Sequence, residues 1–161
     1  MAKLKVGLVG CGNIGADICI ALQKGDIDAE IVALTDIDEE RAKVFIRIFG
    51  LRAGVHAIEE TARRVDLLVE CAASDAVLDV VQAAANSGTD CLIMSDGGLL
   101  TSPEAFDIAR EGGIQIHMPS GALCGLDGLR AAREGGLHSV VLRTRKPPEG
   151  LAGAPYLAEH G

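Results

Sequence analysis

Leu4-Lys5-Val6-Gly7-Leu8-Val9-Gly10-Cys11-Gly12-Asn13-Ile14-Gly15 decides the fold of this 161-residue chain. An apolar run, Leu4 to Val9, meets Gly10-x-Gly12-x-x-Gly15, and a helical pattern follows at once. Gly10 permits a tight turn off the strand, Gly12 lets backbone approach a pyrophosphate without a Cβ in the way, and Gly15 lets the helix pack closely on a sheet. The N-terminus of that helix offers unpaired N–H groups and the positive end of a dipole to phosphates. A second strand, Ala29 to Leu34, leads to Asp36, about 20 residues beyond the last glycine, where an acid takes ribose hydroxyls. The stretch and its context predict a dinucleotide site, with a merely structural glycine turn as the alternative.

Outward from this stretch, strands and helices alternate. An amphipathic helix, Asn13 to Lys24, carries Ile14, Ile18 and Leu22 on one face. Asp38-Glu39-Glu40-Arg41 reads as a helix start with carboxylates where the dipole favours them, and that helix should end near Gly50. Val55 to Ala57 is a short strand candidate and Ile58 to Arg64 a short helix. Val65 to Ala72 reads as a strong strand, and Ser74 as the cap of a helix from Asp75 to Asn86 that Gly88 stops. Cys91 to Met94 is a further buried strand. A Pro103-initiated helix ends at Gly112-Gly113, and Ile114 to Met118 makes the next strand. This order predicts an α/β fold: a Rossmann-type doubly wound parallel sheet with right-handed crossovers. Cofactor contacts should gather at the carboxyl ends of its strands, near the switch point.

After Pro119 the texture changes. Residues 120–128 are glycine-rich, a helix follows to about Glu134, and Ser139 to Arg145 reads as one strand ended by Lys146-Pro147-Pro148. The expected organisation is a dinucleotide-binding domain over 1–119. Residues 120–161 then hold a crossing segment and the first helix and strand of an incomplete α+β domain for substrate and dimerisation. A lone strand cannot bury its own faces, so the rest of its sheet should lie outside this chain.

Hydrophobic content of 48% with 24% charged residues is that of a globular protein. A formal net charge of −8 argues against a nucleic-acid surface. No apolar stretch approaches the ~18 residues of a membrane span, and the opening Met1-Ala2-Lys3 enters a strand without a signal-peptide pattern, so a cytoplasmic location is expected. Five cysteines, odd in number, widely spaced and without a C-x-x-C pair, disfavour both a disulfide framework and a metal site. Cys19, Cys71 and Cys91 fall in apolar patterns as small core residues, whereas Cys11, inside the glycine loop, could be accessible.

Four segments together carry a more specific signal: Val9 to Gly15, Val69-Glu70-Cys71-Ala72-Ala73-Ser74, His117-Met118-Pro119-Ser120-Gly121-Ala122-Leu123-Cys124-Gly125-Leu126-Asp127-Gly128, and Leu142-Arg143-Thr144-Arg145-Lys146-Pro147-Pro148. In this combination the chain resembles the L-aspartate dehydrogenase family of prokaryotes over nearly its whole length. The resemblance implies NAD(P)-dependent oxidation of L-aspartate to iminoaspartate, which feeds NAD biosynthesis or hydrolyses to oxaloacetate and ammonia. By position, the loop of Gly10, Cys11, Gly12, Asn13 and Ile14 should hold the pyrophosphate. Asp36 should take the adenosine ribose and bias the site toward NAD over NADP, because a 2′-phosphate would meet a carboxylate. Cys71, Ala72 and Ala73 should let the dinucleotide pass at a strand end, and Ala122 matches a position near the nicotinamide. Asp96 departs from the family, which usually has an uncharged residue there. The resemblance places the catalytic histidine, and an asparagine that contacts cofactor, beyond Gly161. None of His56, His117, His138 and His160 is therefore assigned catalysis, and the isolated chain is expected to bind cofactor without turning over. A homodimer formed through the absent part is the family's tendency.

Other residues keep two readings. Glu70 ends a buried strand as a structural hydrogen-bonding group or a cofactor contact; Ser120 either touches ligand or shapes a turn. Asp127 near a helix start reads as a cap in preference to a site residue, and Arg143 and Arg145 share one strand face, solvated or turned toward a dicarboxylate. Two other functions compete: a related dehydrogenase or reductase such as homoserine dehydrogenase or dihydrodipicolinate reductase, and a non-catalytic NAD-binding module or redox-sensing subunit.

Overall fold

The structure, a computed structural model, describes residues 2–120, 126–143 and 145. The apolar run at the start forms β1 (Leu4–Val9), whose last four residues are buried. It pairs in parallel with β2 (Ala29–Thr35) on one side and β4 (Leu67–Glu70) on the other. With β3 (Gly54–Val55), β5 (Asp90–Ile93) and β6 (Ile116–His117), the sheet has six strands in the order β3-β2-β1-β4-β5-β6, all parallel. The chain winds outward from β1 to β3 and then returns to the other side of β1 at β4. The switch point therefore lies between β1 and β4, as the doubly wound reading requires.

Successive strand residues point to opposite faces, and this alternation divides the core in two. Leu8, Leu34 and Val69 belong to one cluster with Cys19 of α1 (Asn13–Lys24) and Phe45 of α2 (Glu39–Phe49). Val9, Ala33 and Leu68 belong to the other, with Ala62 of α3 (Ile58–Arg63), Val77 and Val80 of α4 (Val77–Ser87) and Ala109 of α6 (Glu104–Gly112). Asp38 caps α2, its carboxylate accepting the Arg41 N–H at 3.0 Å. Among the described residues no helix is long and apolar enough to cross a membrane.

Three local expectations are corrected. Ser74 makes no capping hydrogen bond; a 3-10 turn, Ser74–Ala76, precedes α4 instead. A helix that the pattern did not announce, α5 (Asp96–Thr101), follows β5. Its Gly97-Gly98 pair disfavours helix on propensity, but a Cβ at Gly98 would lie 2.5 Å from the Ser74 carbonyl oxygen and from a Val77 methyl, so packing there demands glycine. Cys11 is buried, 7% exposed, rather than accessible.

The chain divides into two compact units, Met1–Ala122 and Leu123–Gly161. In the second, α7 (Leu126–Glu134) forms where the pattern placed it. The strand expected over Ser139 to Arg145 does not: residues 138–143 have no strand pairing, and Val140, Val141 and Leu142 are exposed. A parallel or antiparallel ladder needs a neighbour, and these residues have none among those described. Ala122, Cys124 and the segment after Arg145 lie outside the described residues.

Candidate dinucleotide-binding site

The carboxyl ends of β1, β2 and β4 open onto a cleft of about 600 Å³. Gly10 leaves β1 with φ +101, in the left-handed region, and its N–H donates to the Thr35 carbonyl at 2.8 Å. A Cβ on Gly10 would stand 2.8 Å from the Ala72 backbone and the Cys71 carbonyl, so the turn needs glycine for conformation and for space. Gly12 differs: a Cβ there would meet nothing within 4 Å. The room above it faces the start of α1, whose first N–H groups have no intrahelical acceptor, and Ala16 N–H is the first to close on the Gly12 carbonyl, at 3.0 Å. No side chain caps this helix. A bare glycine in front of a helix N-terminus suits a pyrophosphate.

Asp36, one residue past β2, has a side chain only 1% exposed. One carboxylate oxygen accepts Cys11 N–H at 2.8 Å and Arg41 Nε–H at 3.2 Å; the other accepts Asp38 N–H at 2.8 Å and Arg41 Nη2–H at 2.6 Å. Burial works against its charge, but the Arg41 hydrogen bonds, the Asp38 and Cys11 amides and the guanidinium charge together hold the carboxyl below the ordinary range. Asp36 therefore stands ionised where the ribose is expected, and it also ties the glycine loop to the start of α2.

Across the switch point, Glu70 is fully buried. It accepts Ala72 N–H at 2.8 Å, Ser95 N–H at 2.8 Å, Ser95 Oγ–H at 3.0 Å and Met94 N–H at 3.2 Å. Every contact is structural, joining the loops that follow β4 and β5. The Cys71 thiol donates to the Gly10 carbonyl at 3.1 Å. Burial first, then the Glu70 charge, pushes that thiol to about 12, and burial with the Asp36 charge does the same for Cys11, so neither is a nucleophile at neutral pH.

Of the residues the sequence nominated, Gly10, Cys11, Gly12, Asp36, Cys71, Ala72 and Ala73 line this one cleft. Asn13 and Ile14 form the exposed first turn of α1 beside it, and Ala122 lies outside the described residues. Arg41, Ile37, Asp75 and Asp79 also line the cleft and were not nominated. Arg41 carried a usable signal, five residues after the ribose acid on the next helix turn; Asp75 and Asp79 carried none. Asp96 has one buried carboxylate oxygen without a hydrogen-bond partner among the described residues. His117 sits on the edge strand β6, half-exposed and 3.8 Å from Asp90. Among the described residues, no cluster of His, Cys, Asp and Glu could hold a metal ion.

The homoserine dehydrogenase NAD-binding domain family matches residues 10–119. The chain is 43% identical over 162 residues to an L-aspartate dehydrogenase of Methanosarcina acetivorans, covering 98% of this chain and 60% of the relative. It is 36% identical over 160 residues to an L-aspartate dehydrogenase of Bradyrhizobium diazoefficiens, covering 99% and 56%. The chain thus spans about 60% of the length of the curated relatives it matches. Among solved structures it superposes on myo-inositol dehydrogenase of Lactobacillus casei, in complex with NAD(H) and myo-inositol, with a TM-score of 0.68. That match is 23% identical, covers 88% of this chain and 44% of that one, and speaks to the fold.

Proposed function

We propose that this chain, which belongs to the homoserine dehydrogenase NAD-binding domain family and is similar to L-aspartate dehydrogenases over the length it spans, forms the cofactor-binding part of an enzyme that oxidises L-aspartate to iminoaspartate with NAD. The observation that carries the cofactor half is the conjunction of an uncapped helix N-terminus, the open space over Gly12 and an ionised acid at the end of β2, all on one cleft. NAD, when bound, supplies the hydride acceptor. The chain's own residues do the rest of what is proposed here. The glycine loop and the first turn of α1 take the pyrophosphate through backbone N–H groups and the helix dipole. Asp36 accepts from the adenosine ribose. Cys71, Ala72 and Ala73 keep the floor of the cleft low where the dinucleotide crosses β4, and Glu70 fixes that floor against the loop after β5.

The substrate half rests on the relatives' names, since a fold of this kind serves many substrates. A cytoplasmic location and a homodimer belong to the same reading. A chimera tests it: residues 1–161 replace the matched part of the Methanosarcina acetivorans enzyme. L-Aspartate-dependent NADH formation, absent with L-homoserine, is the expected result. A chimera that folds and binds NADH but leaves L-aspartate untouched contradicts the substrate assignment.

A further inference from the structure

We infer that Arg41, through its hold on Asp36, is the residue that decides how this site discriminates between NAD and its 2′-phosphorylated form; the inference rests on the dinucleotide reading above. Asp36 by itself would repel a 2′-phosphate, but in this fold it does not stand by itself. Its two oxygens already accept four hydrogen bonds, two of them from Arg41. The Cys11 and Asp38 donors are backbone amides, fixed by the glycine loop and the start of α2. Arg41 is the donor able to leave, because its side chain is long and 52% exposed.

The two cofactors meet this arrangement differently. A ribose diol needs lone pairs on Asp36, so it must displace the guanidinium. A 2′-phosphate needs donors, and Arg41 offers them: only Nε and Nη2 are directed at Asp36, so Nη1 of the five-donor fork remains for a further acceptor. The pair also presents nearly cancelled charge at the ribose position, which removes much of the penalty that a lone carboxylate would impose. The rest of the cleft makes Arg41 harder to replace. Among the described residues that line it, the other charged groups are Asp36, Asp75 and Asp79, so Arg41 is its one cation. The base of the side chain is anchored as well, its backbone N–H held by Asp38 at 3.0 Å.

The test is a set of NADH and NADPH titrations on the wild-type chain, Arg41→Ala and Arg41→Gln, with far-UV circular dichroism confirming that each is folded. The wild type should bind both cofactors with affinities within about tenfold of one another, and NADPH affinity should fall more steeply with added salt. Both substitutions should lower the NADPH-to-NADH affinity ratio at least tenfold. A ratio that does not move in either variant overturns the inference, as does a wild type that binds NADH but not NADPH. If wild type and variants alike bind neither cofactor, the dinucleotide reading falls with it, a pattern distinct from the other two.

Discussion

Replacing Glu70 by glutamine exchanges one carboxylate oxygen for an NH2 group and tests whether a buried carboxylate holds the floor of the cleft. The carboxylate offers acceptors at both ends, and four donors use them: the Ala72, Met94 and Ser95 amides and the Ser95 hydroxyl. A glutamine accepts at one end and donates at the other. If its NH2 faces Met94 and Ser95, the Ser95 N–H loses its acceptor, while Met94 N–H keeps the backbone carbonyl of residue 70 at 3.2 Å. If it faces Ala72, the Ala72 N–H loses its acceptor, and the Ser95 hydroxyl can turn round to accept. Either orientation leaves one buried donor unsatisfied, about 1–3 kcal/mol, and converts the surviving charge-assisted bonds to neutral ones, roughly 1 kcal/mol more. The gain from burying an amide in place of a charge offsets part of this total of about 2–4 kcal/mol, so the expected net loss is about 1–3 kcal/mol. In a chain of this size that lowers Tm by roughly 2–12 °C. Far-UV circular dichroism is the suitable probe, because the chain has no Trp. NADH affinity should fall in parallel, since Ala72 and Ser95 lose their shared anchor. A Gln variant that melts within about 1 °C of wild type with unchanged NADH affinity would refute the claim that the carboxylate joins the two loops.

The two loop glycines should separate stability from binding. Gly10→Ala places a Cβ against backbone at a positive φ and should cost about 2–5 kcal/mol in a urea titration, whereas Gly12→Ala, with nothing within 4 Å of the new methyl, should leave the unfolding midpoint in place and weaken NADH binding at least tenfold. Buried thiols should be silent: burial holds Cys11, Cys71 and Cys91 at about 12 and Cys19 at about 11, so iodoacetamide at pH 8 should alkylate these four only as fast as the protein unfolds. The same thiols make stability pH-dependent at the alkaline end. Their folded values lie above the ordinary 9.0, so their contribution is complete below pH 9 and is lost as pH rises toward 11–12, which a series of melting curves from pH 8 to 11 would record. Asp36 acts in the opposite sense. Its carboxyl is held below 3.8, so the stability it contributes is present above that pH and lost as pH falls through the folded value; Asp36→Asn should flatten that acid limb.

The elements that carry the site were legible because their chemistry is local. A glycine that must adopt φ +101 between two backbones, a second that must leave room for a ligand, and an acid at the next strand end all leave marks at fixed spacing. The alternation of Val9 with Leu8, and of Leu68 with Val69, was legible for the same reason: side-chain period follows directly from strand geometry. Other features depend on partners far along the chain. Whether Cys11 was accessible turned on burial within the loop and on the Asp36 carboxylate 25 residues away that binds its amide. Helix α5 forms against propensity because Gly98 packs on Ser74 and Val77. Glu70 could be read as a latch or a ligand until its four donors were placed, three of them on Met94 and Ser95. Arg41 has a legible spacing, five residues after Asp36, but its role depends on the rotamer that brings it back onto that carboxylate. The strand expected at Ser139 to Arg145 had the right composition, but composition supplies no partner.

Whether the Gly10–Asp36 cleft binds a nicotinamide dinucleotide is answered by an equilibrium titration of NADH, read by nicotinamide fluorescence against a protein background without Trp. Saturable binding at one site per chain is expected, weakened by Gly12→Ala in a sample whose unfolding midpoint is unchanged. A folded wild-type chain that shows no saturable binding, or one whose binding is indifferent to Gly12→Ala, would contradict the dinucleotide assignment.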